Sequence, residues 1–263
     1  MNPWSLYDEM IEGIPGDVLV TDYGLGIAWS YLEAECGMGV AYTARQGGKR
    51  TVKDDLRGKS LREIAALSKS WCFEEATLGI AALNAWYSNP ERLQTYGFDV
   101  EYEKPALVGE EGGPRLGKKL DAFQLYKPQI EEKKNANVVV VGHFPHVTDI
   151  AEYANLTVLE RACRDEWDTP DPACEYVMPE ADYAFITGVT IINKTAPRLL
   201  ELSKQAHTIM VGPSVVMAPA LFNRDVECMA GSVVTDPEAT RFASKHGMGQ
   251  IFGKSLQMVM VRK

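Results

Sequence analysis

Apolar residues recur in short runs through the second half of the chain, and a polar or glycine-containing turn follows each run. Residues 138–141 are four consecutive valines, the pattern of a strand buried on both faces of a parallel sheet. Comparable runs lie at 156–159, 183–186, 208–211 and 231–234. Helical segments over 191–205 and 237–246 separate most of them, and residues 256–261 predict a last strand, antiparallel to its neighbour. Strand and helix alternate, so the pattern predicts an α/β fold: a Rossmann-like, doubly wound, mostly parallel sheet of five or six strands over residues 137–263.

The first half reads differently. A strand-like stretch at 17–22 leads through a glycine-containing segment to a second at 39–43, which predicts a small antiparallel unit. Ser60 stands three residues before Glu63 and heads the periodic run Leu61, Ile64, Ala65, Leu67, so a capping box is expected there. A second helix is predicted over 73–87, stopping at Asn89-Pro90. Its stripe of Ala76, Gly79, Ala82 and Ala85 permits close packing. Strands followed by helices describe an α+β unit. The expected division is a smaller α+β domain at 1–105, a Gly-, Pro- and charge-rich connector at 106–136, and the Rossmann-like domain at 137–263.

Composition narrows the partners. The 263 residues are 46% apolar and 24% charged, enough to bury a sizeable core. A net charge of −9 repels phosphate backbones, so nucleic acid is not expected; Lys118-Lys119 and Lys133-Lys134 read as solvated faces. The most apolar window, 208–222, is broken by Gly212, Pro213 and Pro219, whereas a membrane span needs roughly 20 uninterrupted apolar residues. With no targeting segment and five cysteines that form no CxxC pair, a cytoplasmic protein is expected. A homodimer is expected only from the frequency of symmetric pairs.

Candidate chemistry gathers where the strands end, because open parallel sheets bind ligands beyond the carboxyl ends of their strands. The first run is followed by Gly142-His143-Phe144-Pro145-His146, the second by Glu160-Arg161, and the third by Thr187-Gly188-Val189-Thr190 with Asn193 and Thr195 one turn on. The fourth is followed by Gly212-Pro213-Ser214 and the fifth by Thr235-Asp236-Pro237. Each turn taken alone is ordinary turn and cap chemistry; all of them together predict a site for a small ligand. Glu160 follows Gly142 by about the spacing of a ribose-binding carboxylate. It reads equally as a salt-bridge partner of Arg161 or Arg164. The first turn has one glycine where a dinucleotide fingerprint has three, and His143, Phe144 and Pro145 would obstruct a diphosphate, which disfavours NAD and FAD. S-adenosylmethionine, lacking a diphosphate, stays open. His143 and His146 have the spacing of two metal ligands, His143 being the stronger candidate. The cysteines form no legible chelating array, and the acidic, proline-containing segment between Cys163 and Cys174 reads as a lid.

Gly142-His143-Phe144-Pro145, the TGxTxxNxT stretch from Thr187 to Thr195, and Gly212-Pro213-Ser214 followed by Pro219 together resemble the proteins catalogued as “putative heavy-metal chelation” domains. The resemblance covers nearly the whole chain. It implies an N-terminal part similar to the N-terminal domain of enolase and a Rossmann-like C-terminal part. It also implies a cleft between them that binds a heavy metal or a metal-containing small molecule. Gly142, His143, Glu160, Thr187, Thr190, Asn193 and Ser214 then become cleft candidates. Enolase chemistry does not follow, since its catalytic residues lie in a barrel this chain lacks. On this reading His143 is a metal ligand or proton shuttle, Glu160 holds hydroxyl or amine groups, and the Thr187-Gly188 and Gly212–Ser214 turns bond an anionic part. The alternatives are a transferase using S-adenosylmethionine or a nucleotide, and a non-catalytic interaction protein.

Overall fold

The computed structural model describes residues 2–104, 120–164, 166–247, 251–252 and 255–263. Residues 106–119 of the expected connector, with its Lys118-Lys119 pair, lie outside them. The chain begins with α1 (Ser5–Glu12), an antiparallel three-stranded sheet of β1 (Val20–Gly24), β2 (Trp29–Ala34) and β3 (Gly37–Tyr42), then α2 (Leu61–Ala65) and α3 (Phe73–Tyr87). After α4 (Pro90–Thr95) come β4 (Asp99–Tyr102), α5 (Ala122–Glu132), β5 (Asn137–Val141), β6 (Asn155–Glu160), β7 (Asp168–Pro170), α6 (Cys174–Val177) and β8 (Tyr183–Thr187). α7 (Val189–Ile192), α8 (Ala196–Leu202), β9 (His207–Val211), α9 (Pro219–Phe222), β10 (Val226–Val234), α10 (Pro237–His246) and β11 (Leu256–Arg262) complete it.

The large sheet has the order β4-β11-β10-β9-β8-β5-β6-β7. β5 pairs in parallel with β6 on one side and β8 on the other, so the strand order reverses between β5 and β8. The parallel part is thus a Rossmann-like arrangement. Eight strands replace the five or six expected, because two short edge strands, β4 and β7, were not legible as apolar runs. β11 runs antiparallel to β10, as expected. β4 pairs with β11, so a segment assigned to the first domain by sequence adds to the second domain's sheet.

The valines of β5 explain the sheet's position. Val138 and Val140 face a core with Tyr126 and Ile130 of α5, and Val139 and Val141 face the main core, which continues into α3 and α1. α3 is buried along almost its whole length, as befits a helix that is apolar all round. It packs on β3 so closely that a Cβ at Gly39 would lie 2.2 Å from Ala81 O, and one at Gly79 would lie 2.0 Å from Ser68 N. The small-residue stripe therefore receives a strand as well as a neighbouring turn.

Three local expectations are corrected. A strand, β2, lies between the two predicted N-terminal strands and pairs with both. Ser60 makes no side-chain cap, because its backbone bridges to Leu19, and α2 is a single short turn of helix. The helix predicted over 191–205 is broken at Asn193–Thr195. There Lys194 takes a φ of +69°, and Asn193 Oδ1 accepts from Thr195 N and Oγ1. Lys194 Nζ crosses to the carbonyl of Ser70 and also donates to Ile192 O, pinning the break to the N-terminal part. Among the described residues, no helix is long and apolar enough to cross a membrane.

Candidate functional site in the interdomain cleft

A cleft of about 550 Å³ opens at the carboxyl ends of β5, β6, β8 and β9, covered by the β2–β3 hairpin. Its floor is set by two glycines. Gly142 and Gly212 take φ values of +101° and +103°, a conformation that favours glycine. The ring of Phe144 lies over both, 3.7 and 3.9 Å from where their Cβ atoms would stand, and packs against Phe123 of α5. An aromatic ring thus occupies the strand exits where a dinucleotide's diphosphate would approach the backbone. Gly188 serves another purpose. A Cβ there would lie 2.4 Å from Val215 N, so the glycine lets two strand-exit turns touch.

Many predicted polar residues line the cleft but already have internal partners. Thr190 Oγ1 donates to Thr187 O at 2.6 Å, and Thr187 Oγ1 accepts from Val189 N. Ser214 Oγ is buried and accepts the backbone N–H of Tyr42 at 2.8 Å, joining floor to cover. Asn84 of α3 reinforces this seam, donating to Val40 O and Pro213 O.

The charged wall comes from β6 and the segment after it. His143 Nδ1 faces Asp168 Oδ1 at 3.3 Å, and the Asp168 side chain is fully buried. Asp168 Oδ2 also accepts from Arg164 N at 2.7 Å. Glu160 Oε2 accepts from the adjacent Arg161 N, and Arg161 Nε lies 3.5 Å from Asp171. Arg164 lines the cleft too, and among the described residues no carboxylate pairs with its guanidinium.

The structure therefore brings together Gly142, His143, Phe144, Pro145, Glu160, Thr187, Thr190, Asn193, Gly212, Pro213 and Ser214. Gly188, His146 and Asp236 are not among the lining residues. His146 adopts φ +62° and its side chain is 85% exposed beside Asp149, so the two histidines do not converge. Asp236 caps α10 through Ala239 N. Sequence reasoning missed Asp168, Asp171, Trp29, Tyr42 and Phe252. Trp29 and Tyr42 become neighbours only through the pairing of β2 with β3. Asp168 falls in the segment read as a lid, part of which is instead the edge strand β7.

The donor set does not fit a bare heavy-metal ion. Among the described residues, no group of three or more His, Cys, Asp or Glu side chains could hold one. The five thiols are free, and burial pushes those of Cys36, Cys72, Cys174 and Cys228 up, away from the thiolate form that binds soft metals.

A Rossmann-like sheet with a small antiparallel domain laid across its strand ends defines a class of two-domain α/β proteins with a cleft between the parts. Two family signatures, both described as “Putative heavy-metal chelation”, match residues 7–87 and 125–261, and the chain belongs to this family. It is similar to an uncharacterized protein of Methanocaldococcus jannaschii, 30% identical over 218 residues that cover 78% of this chain and 74% of that one. A crystal structure of a family member of unknown function from Desulfitobacterium hafniense superposes with a TM-score of 0.80 at 31% identity, covering 99% of this chain and 98% of that chain. A member from Pyrococcus horikoshii superposes with a TM-score of 0.77 at 22% identity over the whole of both chains, a likeness of fold.

Proposed function

We propose that the cleft binds a small organic anion. The observation that carries this reading is the cleft-lining Arg164, a guanidinium with no carboxylate partner among the described residues, on the same wall as Glu160 and His143. An arginine fork favours carboxylate or phosphate. Glu160 would accept from hydroxyl or amine groups, and His143, steadied by Asp168, would accept or release a proton. The family's link to heavy metals fits this reading when the metal arrives as the complex of an organic anion. The anion's own donors then supply the coordination that the described side chains do not.

Calorimetric titration tests the reading. Cd²⁺ alone, citrate, the Cd²⁺–citrate complex and a panel of phosphomonoesters would be titrated into wild type and Arg164→Ala. At least one anion should bind with unit stoichiometry, weakened tenfold or more in the variant. Stoichiometric uptake of Cd²⁺ alone, equal in both proteins and with no anion bound, would overturn it.

A further inference from the structure

The cleft has two unlike walls, and the second wall suggests which anion it takes. Trp29 and Tyr42 stand opposite each other on β2 and β3 with ring centroids 5.8 Å apart, and Phe252 packs against Trp29 at 5.5 Å. All three line the cleft, and Tyr42 and Phe252 remain 44% and 49% exposed. Exposed aromatic faces inside a cavity are stacking platforms for planar rings.

Glu160 is the last residue of β6, the strand beside the first parallel strand, β5. In this strand order, a carboxylate at that place accepts from ribose hydroxyls. Among the described residues its carboxylate accepts only from the neighbouring Arg161 N, through Oε2, which leaves Oε1 available. Arg164 supplies the positive charge.

Resting on the organic-anion reading above, we infer that the ligand is a ribonucleoside monophosphate. The base stacks on the Trp29, Tyr42 and Phe252 wall, the ribose hydroxyls meet Glu160, and the phosphate pairs with Arg164. A dinucleotide is disfavoured because Phe144 covers the Gly142 and Gly212 exits. The chain beyond it forms the short 3-10 segment Val147–Glu152, and lacks there the long helix whose N-terminus holds a diphosphate. The 550 Å³ of the cleft suits one nucleotide, within the roughly 300–1,000 Å³ of small-molecule sites.

The test is calorimetry on the whole protein with AMP, GMP, CMP, UMP, 2′-deoxy-AMP, ribose 5-phosphate and citrate. At least one ribonucleotide should bind about tenfold tighter than ribose 5-phosphate, the scale of one base–aromatic stack. Tyr42→Ala should remove that advantage while leaving ribose 5-phosphate affinity unchanged. Its backbone N–H still reaches Ser214, and circular dichroism would verify the fold. Glu160→Gln should erase the preference for the ribo over the deoxy form. Ribose 5-phosphate binding as tightly as every nucleotide would overturn the nucleoside inference and leave the anion reading standing. So would citrate binding alone. Binding of none of these probes would overturn both.

Discussion

Glu75 shows how a buried charge can organise a loop without a counter-ion. It is 3% exposed, and its carboxylate accepts from the backbone N–H groups of Thr51 and Val52 and from the hydroxyls of Thr51 and Ser70. Burial pushes its pKa up, but these hydrogen bonds together outweigh it and hold the group below the usual glutamate value. The sign follows. A carboxyl depressed in the folded state contributes stability above its unfolded pKa, and the contribution is lost as pH falls through the folded value. Glu75→Gln should therefore be less stable than wild type by roughly 1–3 kcal/mol at pH 7. The gap should narrow below about pH 4, as measured by urea unfolding at both pH values. A gap that widens in acid would contradict the assignment. None of this was legible in the sequence, where Glu75 is one of two acids in the first turn of a helix and two of its partners, Thr51 and Val52, lie more than twenty residues upstream. His143 and Glu160 were legible, because the rule that ligands meet strand ends needs only the strands. Asp168 was not, since its contact with His143 depends on the pairing of β7 with β6.

At the scale of elements, the turns after β8 and β9 form one unit. Gly188 lets the backbone at Ser214–Val215 come within van der Waals contact, and Ser214 in turn holds Tyr42 of β3. Gly188→Ala should destabilise the protein by about 3 kcal/mol, in the range of overpacked sites. It should also weaken anion binding, because the floor would shift under the cover. Denaturant unfolding together with calorimetry would show both effects, and a neutral substitution would mean that the two turns can part freely. The sequence displayed these glycine turns but assigned all of them to ligand contact. Packing decides between the roles, and only Gly142 and Gly212 line the cleft. The break between α7 and α8 did carry a signal, Pro197 in the first turn of α8, a position where proline starts a helix more readily than it continues one.

At the scale of the whole molecule, one core serves both parts. The main apolar cluster runs from Leu6 and Tyr7 through α3 to Val139, Ile186 and Met210 of the large sheet. Tyr7 Oη donates to Ile191 O at 2.7 Å, Arg241 pairs with Glu33 at 3.1 Å, and Arg224 pairs with Glu9 at 2.7 Å, all between the two parts. Thermal unfolding should then be one cooperative transition whose calorimetric and van't Hoff enthalpies agree. Two resolved transitions would show that the parts fold independently. The fold class was legible because strands such as β5 are buried on both faces and so keep an unbroken apolar run. The seam between the parts was not, since it is made of scattered hydroxyls, carbonyls and charges. The pairing of β4 with β11 bears on how the chain is made. Their bonded residues lie about 160 positions apart, a separation of the kind that slows folding. On the ribosome, β4 emerges long before its partner exists. The nascent protein must keep that segment from other chains until β11 arrives, so β4 takes its place at the edge of the sheet only when synthesis has passed β11.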